Sequence, residues 1–200
     1  MYNILTEKLP TNYKGYHINT DFKNGIKISL ALDDWQLGDE ERVLTALSLL
    51  YGEGIPDDVN IALDGLRWFL SCGKEAEKAS YSDIDDVDNA KESVNVKGND
   101  IAFDFEVDSA NIYAAFLKNY NIDLTKSDMH WFQFIALFSN LKNTSLNDMM
   151  YYRTLDLTQY KGEQRAEMKR IKESYRIHKI TKQQVENLKI IYGNDWVKHI

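Results

Sequence analysis

The chain has few of the residues that cross-link a fold or interrupt a helix. Its single cysteine, Cys72, excludes an internal disulfide and any zinc site built from several thiolates. Only two prolines, Pro10 and Pro56, occur in 200 residues, so long helices are unobstructed. The longest apolar stretch, residues 132–138, is interrupted and far shorter than the roughly 20 residues that a bilayer span needs. We therefore expect no contact with a membrane.

What remains is the composition of an ordinary soluble globular protein. Hydrophobic residues make up 44% of the chain, aromatic residues 12% and charged residues 28%, which excludes a wholly disordered or collagen-like chain. The length fits one domain, or two small lobes that share a core. No basic patch followed by an apolar run opens the sequence, so we expect no signal peptide and a cytoplasmic location.

Charge is distributed unevenly along the chain. The formal net charge is −7, but residues 159–200 hold ten basic and five acidic side chains, and the rest is strongly acidic. Such a tail can attract polyanions, or it can neutralise the acidic part within one molecule or between copies. The second interpretation is favoured because the basic tail also carries acids, so nucleic acid is not the expected partner.

Residues 1–73 are predicted to form a β-hairpin followed by three helices. Gly15 suits the turn of the hairpin. Apolar residues then recur at helical spacing in three segments, which end near Trp35, at Gly52 and before Gly73. The candidate helix-capping residues are Thr20 or Asp21 for the first helix and Asp39 for the second, and Pro56-Asp57-Asp58 is expected to start the third.

An acidic stretch and one alternating segment follow. Residues 74–100 are mostly polar and predict a flexible linker or long loop. Between residues 101 and 107, apolar Ile101, Phe103, Phe105 and Val107 alternate with Ala102 and acidic residues. This period of two predicts a half-buried strand that pairs with the N-terminal hairpin. The expected fold class is mainly α (α+β), with a small N-terminal antiparallel sheet.

Residues 101–158 are predicted to form an aromatic-rich helical lobe. Asp108 or Ser109 can cap its first helix, Thr125 its second and Ser145 its third. We expect one buried stripe to pack against Ile112 and Phe116. The members of that stripe are Trp131, Phe134, Ile135 and Phe138, with Phe132 on a flank.

The sequence lacks the common motifs for catalysis and for metal or phosphate binding. No histidine has the partners that a di-iron or zinc site needs, and the acidic run from Asp83 lacks the glycine and the final glutamate of a calcium loop. No glycine pattern cradles a phosphate, and no serine elbow occurs. We expect Cys72 to be a thiol packed among apolar residues. We expect His130 to be a hydrogen-bonded histidine at the rim of the core. We expect neither catalytic residues nor a cofactor, and therefore no enzyme.

Three aromatic-rich motifs, which follow one another along the chain, carry a resemblance to a known family. The sequence resembles the bacteriophage family called gene product fifteen, from tail-gene modules of long-tailed phages and prophages of Gram-positive bacteria. The likeness spans about residues 5–175, including a short hairpin before a helix and Tyr152-Arg153 after the third motif. The motifs are Ile112-Tyr113-Ala114-Ala115-Phe116, Tyr120-Asn121-Ile122-Asp123-Leu124 and His130-Trp131-Phe132-Gln133-Phe134.

The resemblance implies a role without catalysis. The family gene usually lies before the tape-measure gene, a position typical of tail-assembly chaperones, which coat the tape-measure protein until tail-tube subunits replace them. The expected partners are the tape-measure protein, other tail proteins and further copies of this chain, in the cytoplasm of the infected or lysogenic host. Two alternatives stay open: a structural tail-completion component of the virion, and a nucleic-acid-binding accessory.

The C-terminal residues 159–200 are predicted to be a basic helical arm. A charged helix over residues 160–178 has only a thin apolar stripe of Met168, Ile171 and Tyr175, and a final helix follows Thr181. We expect this arm to dock on another copy or on the tape-measure protein. The candidate partner-binding residues are Lys169, Arg170, Lys172, Tyr175 and Arg176.

Overall fold

The computed structural model describes residues 3–74 and 100–177, which form seven α-helices, a short 3₁₀-helix and one two-stranded sheet. The fold class is mainly α with a small β-hairpin, as the sequence predicts. The strands are β1 (Asn12–Tyr13) and β2 (Tyr16–His17), and the 3₁₀-helix is Leu157–Gln159. The helices are α1 (Phe22–Asp33), α2 (Asp39–Tyr51), α3 (Val59–Leu70), α4 (Ser109–Tyr120), α5 (Trp131–Phe138), α6 (Ser145–Thr154) and α7 (Gly162–Tyr175).

The predicted hairpin is confirmed, with Tyr13 opposite Tyr16 in an antiparallel pair. Lys14 and Gly15 form its turn, and both have positive φ angles, of 48° and 91°. A two-residue hairpin turn of this kind needs a left-handed backbone at both positions, which glycine adopts without a Cβ clash.

Aspartate caps begin two of the first three helices. Asp21 accepts a hydrogen bond from Lys23 N at 2.7 Å and starts α1, and Asp58 accepts one from Asn60 N at 2.9 Å and starts α3. The prediction for α2 is wrong by one residue. Gly38 is its N-cap, Asp39 is its first residue, and Glu41 reaches back to the Gly38 N–H at 3.0 Å.

Aromatic rings from both predicted lobes meet in one core. Phe134 stacks on Phe22 at 5.0 Å and on Phe116 at 5.1 Å between ring centroids, which joins α1, α4 and α5. Trp131 and Phe134 are buried against this cluster as expected, whereas Ile135 and Phe138 are only half-buried. Phe132, predicted on a flank, is itself fully buried and contacts the Phe69 ring.

The strand predicted for residues 101–107 is wrong. This segment has no strand in the described structure, and residues 105–108 form a turn before α4. The Asp104 carboxylate accepts hydrogen bonds from Glu106 N and Val107 N at 2.8 and 2.9 Å. Such local bonds compete with a sheet ladder for the same backbone groups. Phe105 still packs against the core, and both Phe103 and Phe105 contact the Phe138 ring.

Two helix starts in the second half also differ from prediction. Thr125 does not cap a helix, because its backbone N–H and its hydroxyl both bond the Asp123 carboxylate in a local turn. The aromatic helix α5 begins several residues later, after His130. Thr144 caps α6 and Ser145 is its first residue, so that prediction is one residue late.

Some predictions fall on other parts of the chain. The body of the acidic linker, residues 75–99, and the helix after Thr181 lie outside the described residues. The helix predicted over residues 160–178 is present as α7, from Gly162 to Tyr175. The division of the chain at residues 73, 100 and 158 stays a prediction.

Candidate interaction surfaces

Helix α7 packs on α6 through a narrow apolar contact. Met168 and Ile171 are half-buried, and among the described residues α7 itself has none that is fully buried. The thin stripe expected from the sequence is therefore present. At the C-terminal end of α7, the buried side chain of Ile177 and a set of polar contacts complete its attachment to the rest of the molecule.

Arg153 of α6 provides the main polar contact. Its guanidinium donates to both carboxylate oxygens of Asp108, at 2.7 and 3.0 Å, and its Nε donates to the Tyr175 carbonyl at 2.6 Å. A further bond at 3.2 Å reaches the Ala102 carbonyl. Arg153 is only 5% exposed. One buried cation, with a hydrogen-bond partner for each of its three nitrogens, thus joins α6, the start of α4, the preceding segment and the end of α7.

Lys172 is a second tie between α7 and the body. Its Nζ donates to the Asp100 carboxylate at 2.6 Å and to the Leu155 carbonyl at 3.0 Å. Lys172 was predicted as a partner-binding residue, and in the structure its ammonium bonds within its own chain. Together with Arg153, it holds one side of α7 against the molecule.

Four tyrosines from α6, α7 and the loop between them lie side by side on the surface; we call Tyr151, Tyr152, Tyr160 and Tyr175 the tyrosine cluster. Tyr152 stacks on Tyr175 with ring centroids 5.4 Å apart, and Tyr151 meets Tyr152 edge to face at 5.3 Å. A hydrogen bond with the Tyr151 hydroxyl raises the pKa of the Tyr160 phenol. Tyr151 is 55% exposed and Tyr175 38% exposed, so the cluster presents aromatic area and hydroxyl groups to solvent.

Basic side chains of α7 and of its C-cap residue lie along a single face, which we call the basic stripe: Arg165, Lys169, Lys172 and Arg176. Their spacing of four, three and four residues places them in one line along a helix. Arg165, Lys169 and Arg176 are exposed. Arg170 is exposed on another face, about 100° around the axis from Lys169.

The structure therefore brings together most, but not all, of the predicted partner-binding residues. Lys169, Lys172 and Arg176 share the stripe, and Tyr175 joins the adjacent tyrosine cluster, while Arg170 points elsewhere. Sequence reasoning missed two kinds of residue at this surface. The basic residue Arg165 could have been identified from its spacing to Lys169. The tyrosines Tyr151, Tyr152 and Tyr160 could not, because only the packing of α6 on α7 brings them to this surface.

Helix α4 has a second apolar face besides the one in the core; we call it the outer α4 face. Ile112, Ala115 and Phe116 are buried. The outer face consists of Ala110, Tyr113, Ala114 and Leu117, spaced three, one and three residues apart, and Leu117 is 43% exposed. This spacing is typical of an apolar stripe through which one helix packs against another.

His130 is fully engaged in structural bonds. Its Nδ1 accepts from Phe132 N at 3.0 Å, which caps α5, and its Nε2 lies 2.9 Å from the Pro10 carbonyl. Both bonds are satisfied by the neutral ring with its proton on Nε2. Burial lowers the pKa of His130, which favours this neutral form.

Cys72 is a poor nucleophile in this setting. Burial raises the pKa of its thiol to about 12, so the reactive thiolate is disfavoured. Within residues 3–74 and 100–177, no group of three histidine, cysteine or acidic side chains is arranged to hold a metal ion. None of the helices in the same ranges is long and apolar enough to cross a membrane.

Comparison with known proteins gives one finding. No curated protein and no solved structure matches the chain. A family model described as Bacteriophage Gp15 protein matches residues 5–177, which is most of the chain and includes all seven described helices. The chain therefore belongs to the bacteriophage Gp15 protein family.

Proposed function

We propose that this protein is a non-enzymatic tail-assembly chaperone that binds the phage tape-measure protein before the tail tube polymerises. Membership of the Gp15 family supports a role in phage structure or assembly. The chaperone role is an inference from the gene position typical of the family and from the surfaces that the fold presents to a helical partner.

The outer α4 face is the observation that carries this proposal. Ala110 and Ala114 are small and exposed, so the backbone of a partner helix can approach closely, and Leu117 offers an apolar anchor. An amphipathic helix binds such a surface through residues repeated at three and four positions. A tape-measure protein, long and helical, is a partner of this kind.

Co-purification of the tape-measure protein tests the assignment. We expect Leu117→Lys to abolish capture of the co-expressed tape-measure protein, because the ammonium would be desolvated in an apolar contact. The matched control is Val59→Lys on α3, also an exposed apolar residue outside this face. Unchanged melting temperatures for both variants would show that the fold is intact.

Equal capture by Leu117→Lys and wild type would contradict the proposed binding face. A separate comparison distinguishes a chaperone from a structural tail-completion component. Mass spectrometry of infected-cell lysate and purified virions should find the protein in the lysate and not in the virion. Stoichiometric recovery from virions would instead support the structural role.

A further inference from the structure

We propose that copies of this chain associate head to tail: the tyrosine cluster and basic stripe of one copy bind the exposed acidic face of α2 on the next copy. This contact uses surfaces other than the outer α4 face, and it does not depend on the proposed binding of the tape-measure protein. In this proposal, the partner that binds the α6–α7 surface is a second copy of the same protein.

The donor surface combines apolar area with positive charge. Tyr151 and Tyr175 are exposed beside the basic stripe, whose Arg165 and Lys169 reach solvent. Tyrosine and arginine are enriched at protein interfaces because each adds a large contact area and a polar group that can be satisfied. Such a surface favours a partner with apolar residues bordered by carboxylates.

Helix α2 offers that complementary surface. Leu44 is 60% exposed on it, and Glu40 and Glu41 lie one turn earlier on the same side. Glu40 is exposed, and Asp39 adds a further exposed carboxylate at the start of the helix. A leucine bordered by acids thus faces solvent, where tyrosines bordered by bases would cover it.

The placement of the two surfaces makes the contact heterologous. Helix α7 packs on α6, whereas α2 packs on α1 and α3, so each copy carries both a basic donor surface and an acidic acceptor surface. When one neighbour cannot engage both surfaces at once, a contact between unlike surfaces repeats from copy to copy and builds a ring or an open filament. A filament is a geometry suited to coating a long client.

Salt dependence separates this contact from non-specific association. Copies with a net charge of −7 repel one another on average, and added salt weakens that repulsion. Attraction between the basic stripe and α2 has the opposite response. We expect light scattering of the full chain to show larger assemblies at low salt than at high salt. A size that grows with salt, or a monomer throughout, would overturn the proposal.

Charge reversals with matched controls locate the two surfaces. We expect Lys169→Glu to weaken association about tenfold or more, because it sets like charges against each other. Arg170→Glu makes the same change at the neighbouring residue on another face and should leave association unchanged. On α2, Glu40→Lys should act like Lys169→Glu, whereas Glu53→Lys, at an exposed residue just beyond the C-terminal end of that helix, should not.

Mixing the two defective variants tests the head-to-tail arrangement directly. The Lys169→Glu protein retains its acidic α2, and the Glu40→Lys protein retains its basic stripe, so mixing them should restore association through the unchanged surfaces at one junction and through the two reversed charges at the next. Absence of that restored association, or equal effects of Lys169→Glu and Arg170→Glu, would overturn the proposal. The proposal would also be overturned if the protein bound duplex DNA, if Lys169→Glu weakened that binding, and if copies of the chain did not associate. In the proposed function, capture of the tape-measure protein depends on Leu117. Capture and association of copies are therefore tested with variants of different surfaces, and either proposal can fail without the other.

Discussion

At the scale of single residues, His130 links the hairpin region to the aromatic core. Its ring accepts a hydrogen bond from Phe132 at the start of α5 and donates one to Pro10 ahead of the hairpin. Protonation of Nδ1 would remove the acceptor and leave a buried N–H of α5 without its cap. The residue singled out by the sequence as a core-rim histidine is therefore a helix cap with a titratable ring.

This role predicts a loss of stability in mild acid. The pKa of His130 is lowered in the folded state by burial, while in the unfolded chain it is near the ordinary value of about 6.5. Below that value the unfolded state binds more protons, so its free energy falls relative to the folded state. The stabilisation is fully present above about pH 6.5 and is lost as the pH falls toward the lowered folded pKa.

Urea denaturation of wild type and His130→Asn across this pH range measures the effect. Asparagine can cap a helix but does not titrate, so the difference in unfolding free energy between the two proteins should shrink as the pH falls. Parallel pH curves for the two proteins would show that His130 does not contribute to the acid response.

At the scale of secondary-structure elements, the fit between α1 and α5 depends on one glycine. Gly25 lies within α1, where a Cβ atom built on its backbone would come within 2.2 Å of the Trp131 ring. Glycine is costly in a helix, and here its lack of a side chain allows the indole to lie against the helix backbone. The stacked core rings of α5 are positioned by that close approach.

Gly25→Ala should therefore destabilise the protein by about 1–3 kcal/mol, because the indole or the helix must shift to accommodate a methyl group. Gly54→Ala is the control, since the nearest atom to its Cβ, the Tyr51 carbonyl oxygen, is at an ordinary 3.5 Å. Chemical denaturation with tryptophan fluorescence measures both variants. Equal stability of the two variants would contradict the packing argument.

Elements with a single apolar stripe could be predicted from the sequence, and those shaped by local polar bonds could not. The stripes of α2, α3 and α4 and the thin stripe of α7 follow directly from helical spacing. The segment before α4 alternates like a strand, yet Asp104 turns its backbone through side-chain bonds. The cap of α5 is a histidine, which the usual capping residues do not suggest.

The interaction surfaces were predictable only in part, for a related reason. A basic stripe on α7 can be found by its spacing, because its members lie on one helix. The tyrosine cluster combines residues of α6, α7 and the loop between them, so it exists only after packing. The same limit applies to Arg153, whose four acceptors come from three separate parts of the chain.

At the scale of the whole molecule, the buried Arg153–Asp108 pair is one of the contacts that connect α6 and α7 to the start of α4. Removal of one partner leaves the other charge buried and uncompensated, so Arg153→Met should cost about 3–5 kcal/mol of folding free energy. The exposed pair Arg176–Glu173, at 3.4 Å, provides a control, because breaking a surface ion pair costs roughly 0–1 kcal/mol. Guanidinium denaturation of Arg153→Met and Glu173→Gln compares the two sites.

Adding Asp108→Asn to Arg153→Met should recover part of the lost stability, since the unpaired carboxylate is then neutral. No recovery in the double variant would show that packing of the arginine side chain, and not its charge, is what the site requires.

The Arg153 bond to the Tyr175 carbonyl makes the α6–α7 surface depend on the folding of the rest of the molecule. Tyr175 completes the tyrosine cluster, and its position is fixed by a guanidinium that must also find Asp108 at the start of α4. In the association that we propose, a chain whose body is unfolded would lack a complete α6–α7 surface and would not recruit a neighbour. The same bond would thus select correctly folded subunits for assembly.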